Sequence, residues 1–453
     1  MKTLSVSGVV KLLKERKQVF LTGAGGTGKS YALNLIKRRF RNPIVLSTTN
    51  ASAILVGGVT LHSFFEIGIS KDLNELEAHD NRYVSWYCQT IANDPKKALM
   101  TRYNKLYNKF STADLIVIDE VSMISSNLLD IIYTRFQQTK VRPNVLLVGD
   151  LYQLPPVTKY TDKDTTNKIF HSQHFKPYII ELTKIHRTQD MDFAKTQRAI
   201  RVGLYTELAH NLISQMIDKP YPKDFKPTKL VATNREADII NHDELSKIEA
   251  QEFTYHATIS TQLDPKSADK IIKEINALER LTLKVGCRVM FLVNNQETGY
   301  YNGLQGVVIE LADNYAKVFA DNDTTYLVTP YTYTKNKVVN QRGTFIYEPE
   351  LTFTQLPIKP SYAVTIHKSQ GQSIKDLEID CKNIFTDGMF YVALSRGTHP
   401  DRIVIRNFNR QLARKQVKEA LPNHFEIHEV SHIVDDEAIT INTKDIDEND
   451  LPF

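Results

Sequence analysis

The chain has 453 residues, 42 % hydrophobic and 24 % charged, the make-up of a globular protein with two or three domains. Its net charge of +5 is uneven: residues 431–453 carry seven acids against one lysine, or −6, leaving +11 on residues 1–430, a balance that suits a polyanionic partner. No apolar run approaches the ~20 residues that span a bilayer, the N-terminus turns charged too soon for a secretory signal, and Cys88, Cys287 and Cys381 lack metal-ligand spacing; membrane-spanning, secreted and cysteine-metal classes are set aside.

Gln18 to Gly23 reads as a short apolar strand running into Gly23-Ala24-Gly25-Gly26-Thr27-Gly28-Lys29-Ser30, which fits G-x-x-x-x-G-K-[ST]. A helix follows, with Leu33, Ile36 and Phe40 at helical spacing. Backbone N–H groups of such a loop turn toward phosphate, Lys29 reaches the β- and γ-phosphates, and Ser30 holds Mg²⁺. Residues 66–110 break the α/β pattern and interleave aromatics with bases, among them Tyr83, Trp86, Arg102 and Tyr107. They read either as a surface that stacks nucleobases or as an ordinary helical insert, with Trp86 expected in the core.

Leu115 to Ile118 reads as a buried strand ending in Asp119 and Glu120, placed to hold Mg²⁺ and to deprotonate the attacking water. Another strand ends at Gly149-Asp150, and Gln153, on a loop stiffened by Pro155 and Pro156, can sense a γ-phosphate. Arg187 and Arg396 each follow an apolar stretch and suit the role of arginine fingers. Their surroundings are a second α/β pattern: a strand over Lys229 to Thr233 and its helix, a strand–loop–strand in "SYAVTIHKSQGQSIKDLEID", a helix in "DGMFYVALSRG" and a last strand in "RIVI". This second sheet has no P-loop. Residues 252–350 contain short β runs and an Asn302-Gly303 turn, which fit a small inserted barrel.

The order GAGGTGKS, NASAILVGGVTLHSFF, VIDEVSM, GDLYQLPPV, IHRTQD, ATNREADIIN, VTIHKSQGQS and YVALSRG resembles the Pif-type DNA helicases of superfamily 1, class B, across about residues 20–405. The resemblance implies an α/β fold of two RecA-like P-loop NTPase-type domains with parallel sheets. Residues 1–186 form the first, with a small helical, pin-bearing insert at about 66–110. Residues 187–430 form the second, with an SH3-like insert at about 252–350 that clamps single-stranded DNA. It implies ATP and Mg²⁺ as cofactors and 5′ to 3′ movement on single-stranded DNA. The catalytic set is Lys29, Glu120, Gln153, Arg187 and Arg396; Gly23, Gly25, Gly26, Thr27, Gly28, Ser30 and Gly371 complete the nucleotide site, and Ser30 and Asp119 the metal site. Thr60, His62, Ser63 and Phe64, with Thr365, His367, Ser369 and Gln370, are implied to contact DNA.

The family's adenine-reading glutamine has no match in "LSVSGVVKLLKERKQ", so the choice between ATP and other nucleotides stays open. "RPN" at 142–144 stands where many relatives carry Phe-Gly-Gly, which places the chain on a divergent branch. Because the chain begins almost at its first helix, no N-terminal accessory domain is expected. Two other readings stand beside DNA unwinding: a nucleic-acid-stimulated ATPase switch that never separates strands, and an RNA helicase of the same superfamily.

Residues 431–453 read as an acidic, disordered tail. Its end, Asp450-Leu451-Pro452-Phe453, resembles the acidic tip of bacterial single-strand-binding proteins and implies docking to proteins that read that tip; a solubilising tail, or one that shields the DNA groove, is the other reading. A monomer acting on single-stranded and forked DNA in the cytoplasm, beside the nucleoid, completes the expectation.

Overall fold

The computed structural model describes residues 3–48, 59–68, 70–154, 168–275, 277–295, 297–341, 344–414, 421–422 and 425–435. Its organising element is a seven-stranded, wholly parallel sheet in the order Ile427–Val430, Tyr178–Leu182, Gln18–Gly23, Val145–Val148, Leu115–Ile118, Pro43–Ser47, Val59–Thr60. The central strands are apolar without a break because both faces are covered. Phe20, Ile116, Ile118 and Leu147 pack into one core, while Val19, Leu21, Val117, Leu146 and Val148 pack into the opposite one. The parallel order brings the carboxyl ends of Gln18–Gly23, Leu115–Ile118 and Val145–Val148 to one edge, where the phosphate loop, Asp119–Glu120 and Asp150–Gln153 follow.

A second sheet, also parallel, runs Ala363–Thr365, Thr228–Val231, Leu377–Asp380, Ile403–Arg406. Its core joins Leu230, Val364, Ile379 and Ile405 to the buried helix Met389–Leu394. The two sheets make two RecA-like lobes.

The domain boundaries need one correction. Residues 427–430, assigned on sequence to the second lobe, form the edge strand of the first sheet beside Tyr178–Leu182, and Ile433–Val434 then pairs with Leu4–Ser5. Arg39 holds this returning segment through Asp435 at 2.6 Å. Pairing across some 250 residues leaves no local trace in a four-residue run.

The insert of the first lobe is two helices, Leu73–Thr90 and Pro95–Ser111, started by Asp72 and Asp94, whose carboxylates accept from the N–H groups of Glu75 and Lys97. Trp86, expected in the core, is 51 % exposed and touches Tyr83 at the surface. Arg102, which one of the two readings of this insert put on a nucleic-acid surface, is buried, its Nε 3.0 Å from Asp80. The Asp80 carboxylate also accepts from the Arg135 guanidinium at 2.7 and 2.8 Å, which ties both insert helices to the helix Ser126–Thr139. A buried carboxylate claims its cations first, whatever their spacing in sequence.

The insert of the second lobe is rich in antiparallel strands around a single core, including Leu281, Val289, Phe291, Val318 and Phe353. Its strands run from Glu252 to Pro360, ten residues further than the β runs suggested. The hairpin Tyr331–Gln341 and Thr344–Gln355 reaches back to lobe one, against Val59–Thr60, Leu61–Phe64 and Pro95–Ser111.

Candidate nucleotide site and nucleic-acid interface

Gly28, at φ 85°, ends the phosphate loop and starts the helix Lys29–Lys37 with no side chain capping it, so the first helical N–H groups stay open to an anion. Lys29 Nζ lies along the loop and donates to the carbonyls of Gly23 (2.8 Å) and Ala24 (3.0 Å), and Thr27 Oγ1 donates to Ala24 O. Burial lowers the Lys29 pKa against the pull of Asp150 and Glu120.

The carboxylates follow the neighbouring strand. Asp119 Oδ1 accepts from the Glu120 N–H at 2.9 Å, and Glu120 takes a left-handed backbone (φ 52°) that turns the chain at the strand end. Burial, reinforced by the Asp119 charge, pushes the Glu120 carboxyl up to about 7; burial also raises Asp119. Gln153 is buried beside them, and its Oε1 accepts from Gln370 Nε2 of the second lobe at 3.4 Å.

The opposing wall belongs to the second lobe and the connection leading into it. Arg187 Nε donates to Ser373 Oγ (2.8 Å), Nη1 to the Ser395 carbonyl (2.6 Å) and Nη2 to the Gly371 carbonyl (3.5 Å). Arg396, 1 % exposed, donates to the carbonyls of Val392, Ser369 and Gln372 and to Ser395 Oγ. Gly26 is what lets Arg187 approach: a Cβ there would lie 2.6 Å from Arg187 Cβ. Burial, then Arg396, lowers the pKa of Arg187, and burial lowers that of Arg396.

Most of the expected site residues, Gly23 excepted, line one cavity of about 370 Å³. It takes in Gly25, Gly26, Thr27, Gly28, Lys29, Ser30, Asp119, Glu120, Gln153, Arg187, Gly371 and Arg396. His186 and Tyr31, which sequence reasoning did not pick out, join them, as does Ser373. Nothing in the spacing of His186 marks it apart from its place next to Arg187.

The residues expected on DNA divide. Ser63 is exposed, and His62 and His367 are half-buried. Burial, with Lys270 of the insert nearby, holds His62 below the usual imidazole range, and burial does the same for His367, whose ring stacks on the exposed Phe385 at 6.2 Å. Thr60 and Thr365 are buried, and their hydroxyls accept from the N–H groups of Ser63 and Lys368, which shapes the turns rather than reaching outward. Two expectations fail. Phe64, 1 % exposed, packs on Phe65 and Phe110 inside the lobe. Ser369 is wholly buried, its hydroxyl spent on the Ile366 carbonyl at 2.8 Å. Both sit on the inward side of a short turn, where an apolar core takes the side chain first. Pro155, Pro156, residues 50–58 of the second motif and Asp450 to Phe453 lie outside the described residues.

Two parallel-sheet lobes, with a phosphate loop on one and Arg187 and Arg396 lining the same cavity, have the arrangement of a P-loop NTPase. The PIF1-like helicase model matches residues 6–211. The chain is 33 % identical over 407 residues to the ATP-dependent DNA helicase Pif1 of Campylobacter jejuni, an alignment covering 85 % of this chain and 88 % of that one. Its fold superposes on Bacteroides sp. Pif1 in complex with ADP-AlF4 with a TM-score of 0.75 at 28 % identity, covering 90 % and 93 % of the two chains. It superposes on Bacteroides Pif1 in complex with ADP-AlF3 and ssDNA with a TM-score of 0.56 at 26 % identity, covering 98 % and 97 %. The chain belongs to the Pif1-like helicase family.

Proposed function

We propose that the protein is an ATP-dependent DNA helicase that hydrolyses ATP between its lobes, moves 5′ to 3′ on single-stranded DNA and separates duplex ahead of it. The observation that carries this reading is the shared cavity, where Lys29 and Glu120 of lobe one face Arg187 and Arg396 across the cleft. Glu120, poised near neutral pH, takes the proton of the attacking water. Lys29 and the two guanidiniums offset the charge that spreads over the transferred phosphoryl oxygens. Because Arg187 is aimed by Ser373, Ser395 and Gly371, the arginine is in place only when the second lobe is seated. The Gln370–Gln153 bond links the loop after Thr365 to the nucleotide wall, a route by which DNA bound on one side alters the other.

Among the described residues no group of three or more His, Cys, Asp or Glu side chains forms a metal cage. Ser30 and Asp119 supply the hard oxygen donors that would hold a magnesium ion brought in with the nucleotide, and such an ion would neutralise phosphate charge. Single-stranded and forked DNA are the partners, gripped by the turn at Thr60–Ser63, the His367 loop and the insert hairpin that reaches across to lobe one. The protein acts as a monomer in the cytoplasm, and its Leu451-Pro452-Phe453 ending recruits proteins that read the tip of single-strand-binding proteins. Removing residues 450–453 abolishes that capture and leaves ATP hydrolysis intact.

The test is unwinding of duplexes carrying a 5′ or a 3′ single-stranded tail, beside ATP hydrolysis with DNA or RNA. Unwinding from the 5′ tail alone, with hydrolysis stimulated by DNA, is expected. Unwinding from the 3′ tail alone, stimulation by RNA alone, or hydrolysis with no strand separation overturns the proposal; the last marks a nucleic-acid-stimulated switch.

A further inference from the structure

We infer that Tyr391 is a positioning residue of the ATPase cycle: its hydroxyl ties the phosphate loop at Gly25 to a buried Asp150–Arg201 pair, making the shape of the cradle depend on where the second lobe sits. The inference rests on the helicase reading above.

Tyr391 lies in the helix Met389–Leu394 of lobe two and is buried. The Gly25 N–H donates to its hydroxyl at 2.9 Å, and the hydroxyl proton goes to Asp150 Oδ2 at 2.8 Å. Asp150 has no exposed surface, and its other oxygen accepts from Arg201 Nε at 3.0 Å. Arg201 is held in turn by Glu181 through Nη1 at 2.5 Å and lies over the Tyr152 ring, 4.5 Å from its centroid. The polarity of the relay follows from its ends. A buried carboxylate only accepts, so the single phenolic proton must point at Asp150, and the oxygen lone pair is left for Gly25. Burial, then Asp150, raises the Tyr391 pKa, so the phenol keeps that proton.

N–H groups of a phosphate loop otherwise face the anion; that of Gly25 is committed to a side chain of the opposite lobe. The next residue, Gly26, is the one that Arg187 abuts. Ser395 also crowds Gly25, its Oγ 3.1 Å from where a Cβ would stand. Two adjacent loop residues thus touch Tyr391 of lobe two and Arg187, which lobe two aims through Ser373, Ser395 and Gly371. A shift of that lobe on DNA pulls the cradle through Tyr391 at the same time as it re-aims Arg187.

Tyr391→Phe keeps the ring and removes only the hydroxyl. In the full-length protein, the ratio of ATP-hydrolysis kcat with and without single-stranded DNA is expected to fall about tenfold, the loss of one buried hydrogen-bond relay, while KM for ATP moves less than about threefold. The thermal unfolding midpoint, read on the same samples, falls by no more than about 4 °C, the cost of the buried groups left unpaired. A ratio within about twofold of wild type overturns the inference. So does a parallel fall of basal and stimulated rates with a larger drop in that midpoint, the mark of plain structural support. A wild-type protein that DNA fails to stimulate removes the helicase reading and this inference together, a result distinct from a stimulated wild type with an unaffected variant.

Discussion

The two lobes each run a parallel strand into a helix, and they finish that turn in opposite ways. In lobe one the helix Lys29–Lys37 begins at Gly28, which offers no side chain, and its N–H groups face the cavity. In lobe two the helix Asn234–Ser246 begins at Thr233, whose Oγ1 accepts from the Glu236 N–H while the Glu236 carboxylate accepts from the Thr233 N–H. The second turn satisfies itself; the first is left for a phosphate. One architecture therefore gives a lobe that binds through its backbone and a lobe that acts through side chains, Arg396 and Tyr391, delivered from its other elements.

The contrast breaks most severely at Lys29. Lys29→Ala is expected to lower DNA-stimulated ATP hydrolysis by at least about 10³-fold and to abolish unwinding, since among the described residues of lobe one no other lysine or arginine lines the cavity. Arg187→Ala tests the facing wall; a steady-state assay should show a loss on the order of 10³ in kcat with nucleotide affinity kept. A pH–rate profile sharpens the division further. Glu120 works as a base only when ionised, and its carboxyl titrates at about 7. The kcat/KM for ATP is therefore expected to rise with pH, roughly tenfold per unit below that value, and to level off above it. A profile flat from pH 5.5 to 8, about the span in which such a group titrates, would remove Glu120 from that role. The smallest effect belongs to lobe two: Thr233→Ala loses the cap and about 1 kcal/mol of stability in a denaturant melt, with ATP hydrolysis unchanged.

How much of this was legible in the sequence follows the range of the interactions. The phosphate loop, Asp119–Glu120 and both sheets announce themselves because strand, loop and helix sit within one short stretch, and Gly25 to Ser30, Asp119 and Glu120 line one cavity. Arg187 and Arg396 stood out as candidates only through their flanking motifs, and the hydrogen bonds that hold them are long-range. Motif membership misled where it ignored burial: Phe64 and Ser369 belong to motif stretches, yet the core takes their side chains. Trp86 misled in the other direction, an aromatic on an exposed helix face. The edge strand Ile427–Val430 and the Tyr391–Asp150 bond, 241 residues apart in sequence, depend on chain return and lobe docking, which no local pattern records.

The central claim is that both lobes hold one triphosphate and that the second holds it hardest as phosphoryl transfer proceeds. The direct measurement is the affinity of the wild type and of Arg396→Lys for ADP and for ADP with aluminium fluoride, by calorimetry in the presence of single-stranded DNA. The shared site predicts that the variant binds ADP as the wild type does and loses about 10²-fold or more for the aluminium fluoride complex. Equal losses for both ligands, or none for either, would contradict it.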